Sequence, residues 1–341
     1  MAIYDLHGKD LISTQEWSRE ELEFAIEFAK DIKRWKYAGY VPELFKNRTF
    51  FMLFYNTSTR TRASFEAAAT LLGGHAQFID FKTTRGAEGE SIADIAHMYE
   101  RLGHALGIRI LEDAVDYVYG AGNKVIREYA KHAKIPVINM ADDMFHPTQA
   151  IADMMTIDEK FYGHYEKKKY VIMWAYSTHN RSWGSVQDEM LIATKFGMDV
   201  VMAYPEGFDL DENLMNQAKA NAEEMGGSFE VTHDLKSALE GAHVVFPRSW
   251  VSHAATMVGL NRFGKEKEIE IHNKYKDWKL TKSLVDLMDK KAIVTHVLPV
   301  FRGEEADDDV MDGPHSVIYD QAENLLYVRA AVLALLAGNV Y

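Results

Sequence analysis

The chain has 341 residues, 47% of them hydrophobic and 12% aromatic, which is enough for two ordinary cores because single cores stop growing well before this length. Its 38 basic and 51 acidic residues leave a formal charge of −13, which excludes a general affinity for nucleic acid or an anionic membrane and requires any cationic site to be local. Cysteine is absent, so disulfides, thiolate zinc sites and a cysteine nucleophile are excluded. Met1-Ala2-Ile3-Tyr4-Asp5 lacks the regions of a signal peptide and no apolar run has spanning length, so a cytoplasmic protein with no membrane partner is expected.

In chain order, Ser18-Arg19-Glu20-Glu21 reads as a capping box, and Leu22, Ala25, Phe28, Ala29, Ile32 and Trp35 repeat at helical spacing, which predicts a scaffold helix. The apolar run 50–55 reads as a buried strand ending at Asn56. Ser58-Thr59-Arg60-Thr61-Arg62-Ala63-Ser64-Phe65-Glu66 then forms a hydroxyl-rich turn opening a helix. Hydroxyls and two guanidinium groups at a helix start suit a phosphate dianion, because the unpaired first-turn N–H groups and the positive dipole end add to the side-chain donors. An N-cap flanked by two solvated arginines is the plainer reading of the same pattern.

Further strands are predicted near 76–79, 105–110, 135–138, 170–174, 200–203, 243–246 and 293–297, with helical patterns between most of them. The fold class is therefore α/β, as two doubly wound parallel-sheet domains with an interdomain cleft. A boundary in the helix beginning near Thr148 gives a first domain of 1–147, rejoined by a last helix at 322–341, and a second of 148–321.

Ligands of such sheets sit at the carboxyl ends of the strands, so the polar residues there carry the functional reading. Arg109 closes Leu106-Gly107-Ile108-Arg109. His146-Pro147-Thr148-Gln149 follows the strand ending near Asn139, and His296-Val297-Leu298-Pro299 closes another. Each alone has a plain explanation, the arginine as an ion-pair member and His-Pro as a turn. Gly120-Ala121-Gly122 lacks the third glycine and acidic partner of a dinucleotide fingerprint, which leaves a nicotinamide-dependent dehydrogenase with little support.

Together these segments resemble the aspartate and ornithine carbamoyltransferase family over nearly the whole chain. Its phosphate motif, Ser-Thr-Arg-Thr-Arg, stands at 58–62, His-Pro-x-Gln at 146–149 and His-x-Leu-Pro at 296–299, followed by Arg302-Gly303-Glu304-Glu305 and Ala322-Glu323-Asn324. The resemblance implies that Ser58, Thr59, Arg60 and Thr61 hold the phosphate of carbamoyl phosphate. Arg109, His146 and Gln149 would polarise the carbamoyl carbonyl, with Arg60, Arg109, His146 and Gln149 the catalytic set, and the carbonyls near Leu298 and Pro299 would accept the carbamoyl NH2. No cofactor, metal or covalent intermediate is implied. A homotrimer is expected, with Lys82 or Arg85 reaching a neighbouring subunit; a solvated loop is the alternative for that stretch.

For the second substrate, a small amine, the resemblance implies contacts from Asn180, Arg248, Ser249, Trp250, Ser252, His296 and Arg302. Ornithine enzymes carry Asp-x-Trp-x-Ser-Met-Gly where this chain has Arg248-Ser249-Trp250-Val251-Ser252-His253-Ala254. A basic residue there opposes a free α-ammonium and attracts a carboxylate, as in the enzymes for N-acetylornithine and N-succinylornithine. Putrescine is disfavoured on the same ground. Val297 and Leu325 replace a cysteine and an arginine of the family pattern; Arg302 or Arg329 would compensate, although Arg329 reads more simply as an exposed helix residue. Residues 177–187 contain no proline, so the knot of the acylornithine enzymes is not expected. The expected function is carbamoyl transfer to a primary amine of a carboxylate-bearing acceptor in amino-acid metabolism, with arginine biosynthesis its setting. Ornithine carbamoyltransferase is the alternative, and a non-catalytic paralogue that binds phosphate ligands is the alternative of another class.

Overall fold

The structure, a computed structural model, describes residues 4–340. The chain divides into two compact units, one of Met1–Val115, Gly120–Ala152 and Glu323–Tyr341, the other of Asp116–Tyr119 and Asp153–Ala322.

The first unit opens with α1 (Arg19–Tyr37), where the capping box forms in both directions between Ser18 and Glu21. Leu22, Ala25, Ala29 and Ile32 face inward at helical spacing. Four parallel strands follow, β1 (Thr49–Phe54), β2 (His75–Asp80), β3 (Ala105–Ile110) and β4 (Val137–Asp142), in the order β2-β1-β3-β4. Their crossovers are α2 (Thr59–Leu71), α3 (Ile92–Leu102) and α4 (Ala121–His132), and α5 (Pro147–Phe161) leaves β4. Gly107 in β3 makes room for an aromatic ring, since a Cβ there would lie 2.4 Å from the Phe50 ring. The chain steps from β1 to β2 on one side and to β3 and β4 on the other, so the sheet reverses direction between β1 and β3.

The fourth strand begins two residues later than the pattern predicts and runs on to Asp142. Pro136 has no N–H to donate, although its carbonyl still accepts from Leu106. The register slips between Ile108 and Arg109, a bulge that re-aims both strand ends beside the switch point.

The second unit holds β5 (Lys169–Trp174), β6 (Asp199–Ala203), β7 (Ser228–Thr232), β8 (Val244–Arg248) and β9 (Ile293–Val294), parallel in the order β7-β6-β5-β8-β9. Helices α6 (Gly184–Lys195) and α7 (Glu212–Met225) join the first three strands, and the switch point falls between β5 and β8. The edge strand β7 is not predicted by sequence pattern, because Glu230 and Val231 are both exposed and no apolar run marks it. The ninth strand is shorter than 293–297: the His296 N–H turns to Gln321 Oε1 and Leu298 takes φ 54°, which carries the chain out of the sheet. The last helix, Ile318–Ala337, starts before position 322. Among the described residues no helix is long and apolar enough to cross a membrane.

Candidate active site

In the first unit Phe54 of β1 lies in register with Arg109 of β3, so the loop after β1 and the end of β3 meet at the switch point. Ser58 caps α2, its Oγ accepting the Thr61 N–H at 3.3 Å. Thr61 is buried, Ser58 and Arg60 are half-buried and Thr59 is exposed. Asn56 ties the two ends together, donating to Asp113 at 2.5 Å and accepting the Leu111 N–H at 2.6 Å. A pocket of about 280 Å³ opens beside this loop, lined by residues 55–57 with Phe78, Lys82 and Asp113.

Two cations are brought together here. Burial lowers the Arg109 guanidinium to about 10; Glu112 and Asp113 oppose that drop and the neighbouring charge of Arg60 adds to it. Arg109 Nε is buried without a hydrogen-bond partner. In a chain of net charge −13, these like charges lie together near the amino end of a 13-residue helix. The other arginine of the motif does not join them: Arg62 is exposed, stacks 3.9 Å over the Phe78 ring and pairs with Glu66 at 2.9 Å.

The end of β4 is organised by Asp142, which sequence reading passed over. Its buried carboxyl accepts from Asn123 Nδ2 at 2.7 Å, Asn139 Nδ2 at 2.9 Å, and the N–H groups of Met144 and Phe145 at 2.7 and 2.6 Å. Burial and Asp143 nevertheless push it up to about 8. That turn delivers His146, whose carbonyl accepts from Gln149 and Ala150, while Pro147 occupies the first helical position of α5, where a missing N–H costs nothing. His146 is half-buried and Gln149 buried.

Arg329 departs from expectation. It is fully buried, and it donates to the carbonyl of Arg60 at 3.3 Å, to Ser64 Oγ and to Thr148 Oγ1 at 3.4 Å. Leu325 is buried as well. Lys82 and Arg85 lie exposed on short turns after β2, with Arg85 paired to Glu88.

In the second unit Trp174 of β5 lies in register with Arg248 of β8. Arg248 is buried, stands 3.7 Å from Glu305 Oε1 and donates to the Pro299 carbonyl at 3.4 Å. Glu305 also accepts the N–H groups of Ser249 at 3.0 Å and Phe301 at 2.9 Å, and stands 3.4 Å from His296 Nε2. Burial alone would raise the Glu305 carboxyl, but His296, Arg248 and the Phe301 N–H outweigh it and hold it at about 2. His296 is lowered by burial against the pull of Glu305. Its Nδ1 accepts the Leu298 N–H at 2.8 Å, so the neutral ring carries its proton on Nε2, toward Glu305.

The adjacent Glu304 binds the loop after β5, accepting from Ser177 Oγ, the Thr178 N–H and Thr178 Oγ1 at 2.8, 2.9 and 2.8 Å. On that loop His179 stacks on Phe301 at 3.7 Å, Arg181 lies 4.7 Å over the same ring, and Asn180 Oδ1 is buried without a partner. Glu305 thus gathers Arg248, Ser249, His296 and the segment around Leu298 and Pro299.

Three residues expected at the acceptor are committed elsewhere. Trp250 is fully buried, donating to the Phe208 carbonyl and accepting from Trp174 Nε1, both at 2.8 Å. Ser252 caps the helix His253–Val258 and binds Glu268 through its N–H and Oγ. Arg302 is exposed, held bidentately by Asp312 with both contacts at 2.7 Å and by Asp308 at 3.0 Å. Among the described residues no group of His, Asp or Glu is arranged to hold a metal.

Residues 9–159 match the family model for the aspartate/ornithine carbamoyltransferase carbamoyl-P binding domain, and residues 167–336 match the model for the Asp/Orn binding domain. The chain is similar to an ornithine carbamoyltransferase of Pyrococcus abyssi, 38% identical over 340 residues that cover 99% of this chain and 98% of that one. It is similar also to the N-acetylornithine carbamoyltransferase of Xanthomonas campestris pv. campestris, 34% identical over 346 residues covering 97% and 98%. Among solved structures, an ornithine carbamoyltransferase from Pyrococcus furiosus superposes with a TM-score of 0.86 at 37% identity, covering 98% of this chain and 99% of that one. An N-acetyl-L-ornithine transcarbamylase gives 0.88 at 32% identity, covering 96% and 100%.

Proposed function

The chain belongs to the aspartate/ornithine carbamoyltransferase family, and from that premise we propose that it transfers the carbamoyl group of carbamoyl phosphate to a primary amine of a carboxylate-bearing amino-acid acceptor, releasing phosphate. The observation that carries this reading is the pairing of Arg60 with the desolvated Arg109 at the amino end of α2. A phosphate dianion relieves the repulsion between them and satisfies the first-turn N–H groups.

In this reading Ser58, Thr59, Arg60 and Thr61 hold the phosphate. Arg109, His146 and Gln149 donate to the carbamoyl oxygen, which gains negative charge as the neutral amine attacks the carbon. The new C–N bond forms as the C–O bond to phosphate breaks, the leaving phosphate takes up the proton that the amine nitrogen loses, and it departs into a pocket already positive. His146 acts as a hydrogen-bond donor, and positioning supplies much of the rate.

Arg248, Ser249, His296 and Asn180 are the proposed contacts of the acceptor. Arg248 and Arg181, whose charges both act on His296, favour an acceptor carrying carboxylate and no free α-ammonium, which points to an N-acylated ornithine. Ornithine is the second reading, favoured by the buried Glu305 at 3.7 Å from Arg248, which offsets that positive charge. A cytoplasmic homotrimer working in arginine biosynthesis is part of the same proposal, supported by the family likeness.

The test is phosphate release from carbamoyl phosphate across a panel of N-acetylornithine, N-succinylornithine, ornithine, aspartate and putrescine. One productive amine with a free carboxylate is the expected result. Carbamoyl phosphate binding with no turnover on any amine would leave a non-catalytic paralogue.

A further inference from the structure

Building on the carbamoyl-phosphate reading, we propose that Arg329 is a positioning residue, which fixes the first turn of α2 against the first turn of α5 so that Arg60 and His146 are set before substrate arrives. Arg329 lies on the helix Ile318–Ala337 among Val328, Ala330, Ala331 and Val332, all buried. A guanidinium in such surroundings is costly unless its donors are used. Two of its three nitrogens, Nε and Nη1, are used on the two segments that carry the candidate site. On α2, Nη1 donates to the Arg60 carbonyl at 3.3 Å and to Ser64 Oγ, and Ser64 Oγ itself donates to the Arg60 carbonyl at 2.5 Å. On α5, Nε donates to Thr148 Oγ1 at 3.4 Å, between His146 and Gln149 in sequence. The guanidinium also lies 4.6 Å over the ring of Phe65, on the same face of α2.

Donors therefore converge on the carbonyl of the residue whose side chain stands beside Arg109. A backbone so held restricts where the Arg60 guanidinium can go, and the same cation sets the start of the helix that presents His146. Arg329 touches neither substrate in this proposal. Its contribution is preorganisation, which appears as tighter carbamoyl phosphate binding and faster transfer together.

The experiment compares wild type with Arg329→Met, Arg329→Lys, Ser64→Ala and Thr148→Val, measuring the dissociation constant for carbamoyl phosphate by calorimetry, kcat and KM for phosphate release, and the melting temperature. Arg329→Met is expected to weaken carbamoyl phosphate roughly ten-fold and lower kcat roughly ten-fold, with the acceptor KM unchanged and Arg329→Lys intermediate. Ser64→Ala and Thr148→Val, which remove its partners and leave the cation, are expected to shift the same constants by about three-fold. A lower melting temperature with wild-type binding and kcat would overturn the proposal and leave Arg329 a core residue. Should Arg329→Met not fold, wild-type constants in both Ser64→Ala and Thr148→Val would overturn it equally. Wild type that binds no carbamoyl phosphate would instead remove the functional reading and this one with it.

Discussion

The two switch points are built from opposite materials. At the first, between β1 and β3, Arg60 and Arg109 meet near the positive end of a helix, and the carboxylates of Glu112 and Asp113 offset only part of what burial and Arg60 take from Arg109. At the second, between β5 and β8, Arg248 already has a buried carboxylate beside it, and Glu304 and Glu305 knit the surrounding loops. A site poised for a dianion tolerates uncompensated charge, because binding repays it. A site for a zwitterionic or acylated amino acid must keep its own charge nearly balanced and read shape and sign more finely. Substitutions at the first should therefore act on binding and rate by large factors, and those at the second on stability and preference by smaller ones.

Arg60→Ala should have the largest effect. It removes one of the paired cations and a charge-assisted contact to the phosphate, and kcat/KM for carbamoyl phosphate should fall by at least about three orders of magnitude. Its side chain is only half-buried, so the melting temperature should hold or rise as the repulsion from Arg109 is relieved. Normal carbamoyl phosphate affinity in this variant would move the anion site elsewhere. Next comes His146→Ala, expected to lower kcat by roughly two to three orders of magnitude while the binding of carbamoyl phosphate changes little, as loss of an oxyanion donor does. A pre-steady-state burst measurement separates that outcome from slowed product release.

The same contrast explains what could be read from sequence. The first site is local: a strand, a turn and a helix start place Ser58 to Thr61 within one contiguous segment, so residue types and spacing expose it. The parallel strands were equally visible where they are buried on both faces, and the exposed edge strand β7 was not. The partners that hold the site in shape come from far along the chain. Arg329 acts through contacts of long sequence separation, and nothing in Ala322-Glu323-Asn324 and the apolar run after it says that the arginine at 329 turns inward. At the second site Trp250 and Ser252 sit in a motif whose chemistry suggested ligand contact, yet their donors are spent on Phe208 and Glu268. Glu304 and Glu305 belong to a family segment, but only the fold reveals that one binds residues 177–178 and its neighbour binds Ser249 and Phe301.

Acid should expose the second site before the first. Glu305 is held at about 2 in the fold, well below an ordinary glutamate, so its contribution is present above the unfolded value and is lost as pH falls from about 4.5 toward 2. His296, lowered by burial, acts in the same direction from a higher pH: it is neutral in the fold while the unfolded ring takes up a proton below about 6.5. Melting temperature followed from pH 7 to pH 3 should therefore fall more steeply in wild type than in Glu305→Gln, which is less stable at pH 7 and flatter below pH 5. Parallel curves would show that other carboxylates govern the acid limb.

The smallest and most discriminating effect concerns Arg248, and the neighbouring Glu305 decides how it must be tested. A direct change to aspartate, the residue of ornithine enzymes at this position, would remove the cation that stands 3.7 Å from Glu305 and bury a second carboxyl nearby. Glu305 would lose its cation and gain a like-charged neighbour, and any altered preference would be mixed with lost stability. Arg248→Met keeps the length and removes the charge, leaving Glu305 its contacts to Ser249, Phe301 and His296. If Arg248 selects the acceptor, this variant should raise KM for an N-acylated ornithine by roughly ten-fold and narrow its advantage over ornithine, with KM for carbamoyl phosphate unchanged. Arg248→Asp combined with Glu305→Gln then restores a single acid and should favour ornithine further. Unchanged acceptor preference in both would mean that Arg248 serves Glu305 and the Pro299 carbonyl alone, and that the acceptor is chosen by residues 177–183 instead.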